Sequence, residues 1–438
     1  MLAKFSTHLC MPSRVLCTLP NRLLVLTTGK NLFIVALLNI NFLLGSSLMA
    51  KPTSTIVVVS TPSSLAKLSG TFSPYKPLLS RFSSIYSLYL TVQENVCKKH
   101  LNRWLAESKA NPGPRPIMMD ARYCNMDTSL RVFCGPHIPE HAAKEINDQY
   151  WAITLSLELV NFPLALPGTK VYRAIQSRKN AMKWLELAAH KSKIAMAEGG
   201  EPECMLDQWV QTINDPTYKG GRKDFSDYEM AQVLFSFLFA SQDAMSSGLI
   251  YGFQHLVDHP EILRKVREEQ ERVRMGDYEK PLTLEMMDEM VYLQAVVKES
   301  MRVMPPVTMV RFLNSHYRYP HSSTDITQFV QVPYKCTKAY PITPDYTVPV
   351  NSMVIPSFYP SLHDPEIYEN PDEFIPERWL DPNGKANANP KNYLVYGAGP
   401  HRCLGLEYAN MNIALTLATA AVMMDFVHDV TPLSKEIE

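Results

Sequence analysis

From about Leu88 onward, apolar residues recur at the three-to-four spacing of helices, punctuated by clusters of proline and glycine. Asn95 to Ser108 carries such an amphipathic face, and Asn111-Pro112-Gly113-Pro114-Arg115-Pro116 breaks it. Tyr150–Asn161 and Val171–Ala197 read as two helices parted by Pro163 and Pro167, the second stopped by Gly199, Gly200 and Pro202. Ser226 to about Leu256 is the longest candidate, opened by Ser226 with Glu229 three residues on, the arrangement of a capping box. About 30 residues at a 1.5 Å rise make a rod of about 45 Å. Met230 to Ala240 is apolar nearly all round, which requires burial, and the polar residues Ser241, Gln242, Asp243, Ser246 and Ser247 then interrupt it. His259–Met275, with Pro260 in the first turn and Gly276 as the stop, and Leu284–Met301 before Pro305 and Pro306 complete the series. Tyr340–Pro356 alternates as short strands do. The pattern is mainly α with a small β region.

Composition separates the first part of the chain from the rest. The 438 residues hold 43 basic and 43 acidic side chains, yet residues 1–93 have no Asp or Glu while carrying eight Lys or Arg. Such a segment reads as an organelle presequence, a secretory anchor or a misassigned start. Its sustained apolar run, Leu32–Leu44, contains Asn39 and Asn41 and is short of the ~20 residues that cross a bilayer. The eight cysteines show no CxxC and no paired metal spacing, which argues against zinc and against a disulfide framework, and for a reducing compartment.

The chemistry concentrates at Tyr396–Gly405, YGAGPHRCLG. Gly397, Gly399 and Gly405 permit close backbone approach to a flat ligand. Leu404, Tyr408, Met411, Ala414, Leu415 and Ala418 follow at helical spacing, so Cys403 stands at a helix N-terminus, where oriented N–H groups favour a thiolate. A cysteine that merely packs is the alternative.

Tyr396, Gly399, Cys403 and Gly405 match FxxGxxxCxG, the haem signature of cytochromes P-450, with Tyr for Phe, and the chain resembles that family elsewhere. The resemblance implies the cytochrome P-450 fold and a haem b whose iron is bound axially by the Cys403 thiolate. Glu299 and Arg302 match ExxR, and Phe374-Ile375-Pro376-Glu377-Arg378-Trp379 resembles the downstream loop whose arginine joins that pair in locking the haem-cysteine segment. Ala240 to Ala244 resembles the oxygen-binding groove, which implies proton delivery by Asp243, supported by Ser246 or an ordered water because Ala244 stands where threonine is usual; a helix acid facing a partner or solvent is the alternative. His401 stands where relatives carry an arginine toward a haem propionate. Arg402, Lys385 and Lys391 offer either a docking face for an acidic electron donor or a merely solvated one.

FLFASQDA, ELVNFP, AEGGEP, PPVTMV and DYTVP resemble the fungal sterol C-22 desaturases. That implies an enzyme of ergosterol synthesis at the endoplasmic reticulum membrane, with a sterol substrate, O2, NADPH-derived electrons from NADPH-cytochrome P-450 reductase, and no nucleic acid. The alternatives are another sterol or lipid monooxygenase, or a non-catalytic haem-binding or unfolded remnant. The expected division is an atypical segment at 1–87 and a cytochrome P-450 domain at 88–438, lacking parts at both ends. None of Trp104, Trp151, Trp184, Trp209 and Trp379 opens the WxxxR motif expected upstream, and 35 residues follow Cys403. Removing Val310–Gln331 restores the family wording PPVTMVPYK, so residues 310–331 read as an insert with the ends of an unremoved intron.

Overall fold

The computed structural model describes residues 15–19, 22–26, 79–156, 165–218, 222–306, 334–344, 346–354, 358–398 and 402–429. Leu32–Leu44, residues 310–331, Gly399 and His401 lie outside them. The helices that build the bundle are α1 (Leu79–Ala110), α2 (Met118–Cys134), α3 (Glu140–Ser156), α4 (Lys170–Ala197), α5 (Met205–Asn214), α6 (Asp227–Asp258), α7 (Pro260–Arg274), α8 (Leu284–Glu289), α9 (Val291–Val303) and α10 (Leu406–Met423). Strand content is small: Val15–Leu19 pairs with Arg22–Leu26, Tyr334–Lys335 with Met353–Val354, and Tyr340–Thr343 with Tyr346–Val348, all antiparallel.

The long helix α6 joins two apolar cores. Its first half gives Met230, Leu234, Phe235 and Leu238 to a core shared with α2, α3, α4 and α5. Its second half gives Leu249, Phe253 and Leu256 to a core shared with α1, α7, α9 and α10. The polar stretch from Ser241 to Ser247 therefore falls between the two cores. By length and composition α6 alone among the described helices is apolar enough to cross a membrane, but 56% of its most apolar window is buried inside the protein, the position of a core helix. Both arms of the capping box form at its start, Ser226 accepting from the Glu229 N–H and Glu229 from the Ser226 N–H.

Four elements differ from the sequence pattern. α3, expected over 150–161, begins at Glu140 and is described to Ser156, and residues 157–161 lie outside the described ones. α1 begins at Leu79, earlier than the periodicity that starts near Leu88. The single helix expected over 284–301 is two, broken at Met290. The cause is Glu269 of α7, whose buried carboxylate accepts from the N–H groups of Tyr292 (2.7 Å) and Leu293 (2.8 Å) and so caps a new helix start. Helix α2, for which the pattern offers no clear stripe, packs between α1 and α6 with polar as well as apolar side chains buried.

Candidate functional site

The ExxR pair sits at the C-terminal end of α9, with Glu299 and Arg302 fully buried. Glu299 Oε1 accepts from Arg302 Nη2 (2.8 Å), Arg378 Nε (2.9 Å) and the Ile375 N–H (3.1 Å). Its Oε2 accepts from Arg302 Nε (2.9 Å) and Trp379 Nε1 (2.8 Å). The other donors of Arg302 reach the carbonyls of Leu362 (2.9 Å), Pro371 (2.7 Å) and Glu373 (3.0 Å). All five guanidinium N–H groups thus have acceptors, the condition under which a buried ion pair holds its place. Arg378 adds a bond to the Glu369 carbonyl (2.9 Å). One carboxylate thereby organises the segment 362–379 that leads into the cysteine loop.

In that loop the Cys403 N–H donates to the Tyr396 carbonyl (2.8 Å), closing the turn, and Gly405 is the N-cap of α10. Tyr396 bonds through its hydroxyl to Asn410 Oδ1 (2.5 Å) and Met301 Sδ (3.1 Å), tying the loop to both α10 and α9. Cys403 is an exposed free thiol. The protein packed on its inner side nevertheless pushes its pKa up, against the Gly405 N–H and the Arg402 charge, which lower it. A cation bound at this sulfur would act in the same direction as those two, toward the thiolate. A soft sulfur open to one side and bonded by a backbone N–H suits an iron that prefers thiolate.

In the middle of α6, Ala240 is exposed while Asp243 and Ala244, three and four residues on, are half-buried, an open stripe beside the buried Gln242 and Met245–Leu249. The Asp243 carboxylate is paired with Arg122 of α2, which is buried and lies 4.3 Å over the ring of Trp151. Thr154 of α3 donates to the second oxygen of Asp243 (3.4 Å). Ser246 does not bond Asp243; its hydroxyl donates to the Gln242 carbonyl (2.5 Å) and accepts from Asn125 Nδ2 (3.4 Å). A chain of hydroxyls runs from Ser241 through Ser129 (3.3 Å) to Tyr408 of α10 (3.1 Å), linking this stretch to the helix that follows the cysteine.

The structure thus brings together Glu299, Arg302 and Arg378, and separately Tyr396, Cys403 and Gly405, and sets Asp243 and Ser246 on different partners. Arg122, Asn125, Ser129, Thr154 and Asn410 were not singled out by sequence reasoning, and Trp379 and Tyr408 were named only as parts of the downstream loop and of the stripe after Cys403. Most of their contacts cross more than 70 residues, and only the Trp of FxPxRW carries a local signal.

A family model described as Cytochrome P450 matches residues 95–317 and 325–436. C-22 sterol desaturases of Saccharomyces cerevisiae and Aspergillus fumigatus are each 39% identical to the chain, covering 80% and 81% of it and 62% and 67% of their own lengths. A cytochrome P450 monooxygenase of Emericella variicolor is 40% identical over 80% of this chain and 65% of its own. The chain therefore spans about two thirds of the length of these relatives. Among solved structures, retinoic acid-bound cyanobacterial CYP120A1 aligns with a TM-score of 0.61 at 21% identity, over 87% of this chain and 74% of that one. The cytochrome P450DA heme domain aligns at 0.62 and 17% identity, over 93% and 82%. At those identities the likeness is one of fold.

Proposed function

This chain belongs to the cytochrome P450 family, and from that premise we propose that it is a haem-thiolate oxidoreductase that desaturates a sterol side chain at C-22. The observation that carries the reading is the exposed Cys403 sulfur on a loop closed by Tyr396 and positioned by the Glu299 lock. Identity of 39% to proteins named C-22 sterol desaturases supports the substrate and the bond formed. The overall change balances as R–CH2–CH2–R′ + O2 + 2 electrons + 2 H+ giving R–CH=CH–R′ + 2 H2O. The electrons come from NADPH by way of a cytochrome P-450 reductase at the endoplasmic reticulum membrane.

Bound through Cys403 Sγ, haem supplies dioxygen activation, which the protein itself has no group to perform. The side chains do the rest. Glu299, Arg302 and Arg378 hold the segment before the loop, Tyr396 and Gly405 fix the loop around the sulfur, and His401 would be the candidate donor to a haem propionate. Asp243 holds a carboxylate beside the open stripe of α6, with Arg122 and Thr154 keeping it oriented; it passes protons at its carboxylate oxygen where Ala240 and Ala244 leave room. Ser246, held by the Gln242 carbonyl and Asn125, makes no bond to Asp243 and joins that relay only through an intervening water.

The reduced carbon monoxide difference spectrum of the full chain is the test. A thiolate-type Soret band is expected, lost in Cys403→Ser with an unchanged far-ultraviolet circular dichroism spectrum. Absence of haem uptake by the folded wild-type chain would sink the reading and favour a non-catalytic remnant. The relative named a monooxygenase, at 40% identity, favours a second reading, insertion of oxygen into a sterol or other lipid. Sterol analysis of a strain dependent on this chain separates the two: a C-22 double bond supports desaturation, and a hydroxylated sterol without it supports the second.

A further inference from the structure

Apart from the cysteine loop, a second group of metal-compatible side chains closes the junction of α2, α4 and α5. His137 stands on the 3-10 turn Gly135–His137 that follows α2, Cys204 is the N-cap of α5, and Asp207 lies in its first turn. The three are buried, and one ligand atom from each (a ring nitrogen, the sulfur, a carboxylate oxygen) lies within 4.8 Å of the other two. We propose that His137, Cys204 and Asp207 form a structural zinc site.

The donor set is that of zinc, which takes thiolate, imidazole and carboxylate at about 2.0–2.3 Å. Charge favours the same ion, because one thiolate and one carboxylate neutralise its two positive charges and leave the buried cluster without net charge. The carboxylate is already oriented. Asp207 Oδ1 accepts from His137 Nε2 (2.6 Å) and Ser192 Oγ of α4 (2.5 Å), and Oδ2 accepts from the Glu203 N–H (3.1 Å). Donors around a tetrahedral zinc stand about 3.5 Å apart, so the Asp207–His137 contact must open by roughly 1 Å, while the sulfur already stands within 4.8 Å of both partners. The backbone permits the approach: Gly135 has φ +52, and a Cβ there would stand 2.8 Å from Cys204 Cβ. The ion takes the place of the His137–Asp207 hydrogen bond, keeps the Ser192 and Glu203 bonds behind Asp207, and leaves the fourth position to an oxygen. It thereby staples the end of α2 to α5 and, through Ser192, to α4.

The experiment uses the full chain with Zn2+ as the one added metal, read by elemental analysis, zinc-edge X-ray absorption and thermal melting. One zinc per chain is expected, with one sulfur and three nitrogen or oxygen donors and a zinc-dependent rise in Tm. His137→Gln keeps an N–H donor for Asp207, and Cys204→Ser keeps the volume, so a cluster held by hydrogen bonds alone tolerates both. The zinc site does not: each variant is expected to bind Zn2+ at least ten-fold more weakly and to lose the Tm rise, with an unchanged far-ultraviolet spectrum in zinc-free buffer. Cys403→Ser is expected to keep the zinc. A folded wild-type chain without bound zinc, equal affinity in both cluster variants, or loss of the zinc in Cys403→Ser would overturn the proposal.

Discussion

Glu299 shows how much one side chain does. It accepts five hydrogen bonds, and two of its partners are arginines, Arg302 buried with it and Arg378 half-buried. In Glu299→Gln the shape stays, but the charge between Arg302 and Arg378 goes, leaving two cations without their common anion. A loss of about 3–5 kcal/mol is expected, as for a buried pair broken on one side, measured as a shift of the urea midpoint; a shift below 1 kcal/mol would mean that the lock is solvated. Residues of this kind are legible when a motif is local. Glu299 and Arg302 are three apart on one helix face, and Arg378 lies in a short recognisable string. Arg122 is different, since its partner Asp243 is 121 residues away and nothing near it signals the pairing. The same holds for His137 with Cys204 and Asp207: cysteine spacings report local pairs, and this cluster spans 70 residues.

At the scale of elements, α6 and α10 meet at a glycine. A Cβ on Gly252 would stand 2.7 Å from Leu417 Cδ1 inside the core shared by α1, α6 and α10. Gly252→Ala improves helix propensity by about 1 kcal/mol, yet overpacking of this sort costs about 1–3 kcal/mol. A net destabilisation is therefore expected in urea unfolding, and a more stable variant would show that Leu417 can rotate away without cost. The capped helix α6, the Pro-opened α7 and α10 were readable because their stripes and caps are local signals. Helix α2 was not readable, because Arg122, Asn125, Asp127, Thr128 and Ser129 are buried alongside Met126, Leu130 and Phe133, and burial on nearly every side erases periodicity. In α5 the spacing of Leu206, Trp209, Val210 and Ile213 is regular, so the signal was present over a span of only ten residues.

Over the whole molecule, charge and burial make the fold acid-sensitive. His255 is buried against Phe374, ring centroids 4.2 Å apart, with Nε2 unbonded among the described residues. Burial and the neighbouring His259 lower its pKa to about 4, against Asp258 and Glu299, which favour its charge. Burial alone would raise the pKa of Asp127, but His100 and Lys99 hold it at about 2. The Arg222 and Ser226 hydrogen bonds hold Glu229 at about 2 as well. In each case the folded chain binds fewer protons than the unfolded one, so stability falls as pH falls. The His255 part, roughly 3 kcal/mol, is lost between about pH 6.5 and 4, and the carboxylate part below that. Urea unfolding from pH 7 to 4 is expected to show the first loss in the wild type and a flatter profile in His255→Phe; identical profiles would mean that His255 charges freely in the fold. The lock at Glu299 has a further consequence, in the order of synthesis. Glu299 and Arg302 precede their partners by 60 to 80 residues, so at about 5–20 residues per second Glu299 emerges from the ribosome roughly 4–16 seconds before Trp379 does. Throughout that interval the ion pair at the end of α9 lacks the downstream carbonyls and the Trp379 indole that complete its hydrogen bonds. The nascent chain can close around its cysteine loop only after most of its length has already been translated.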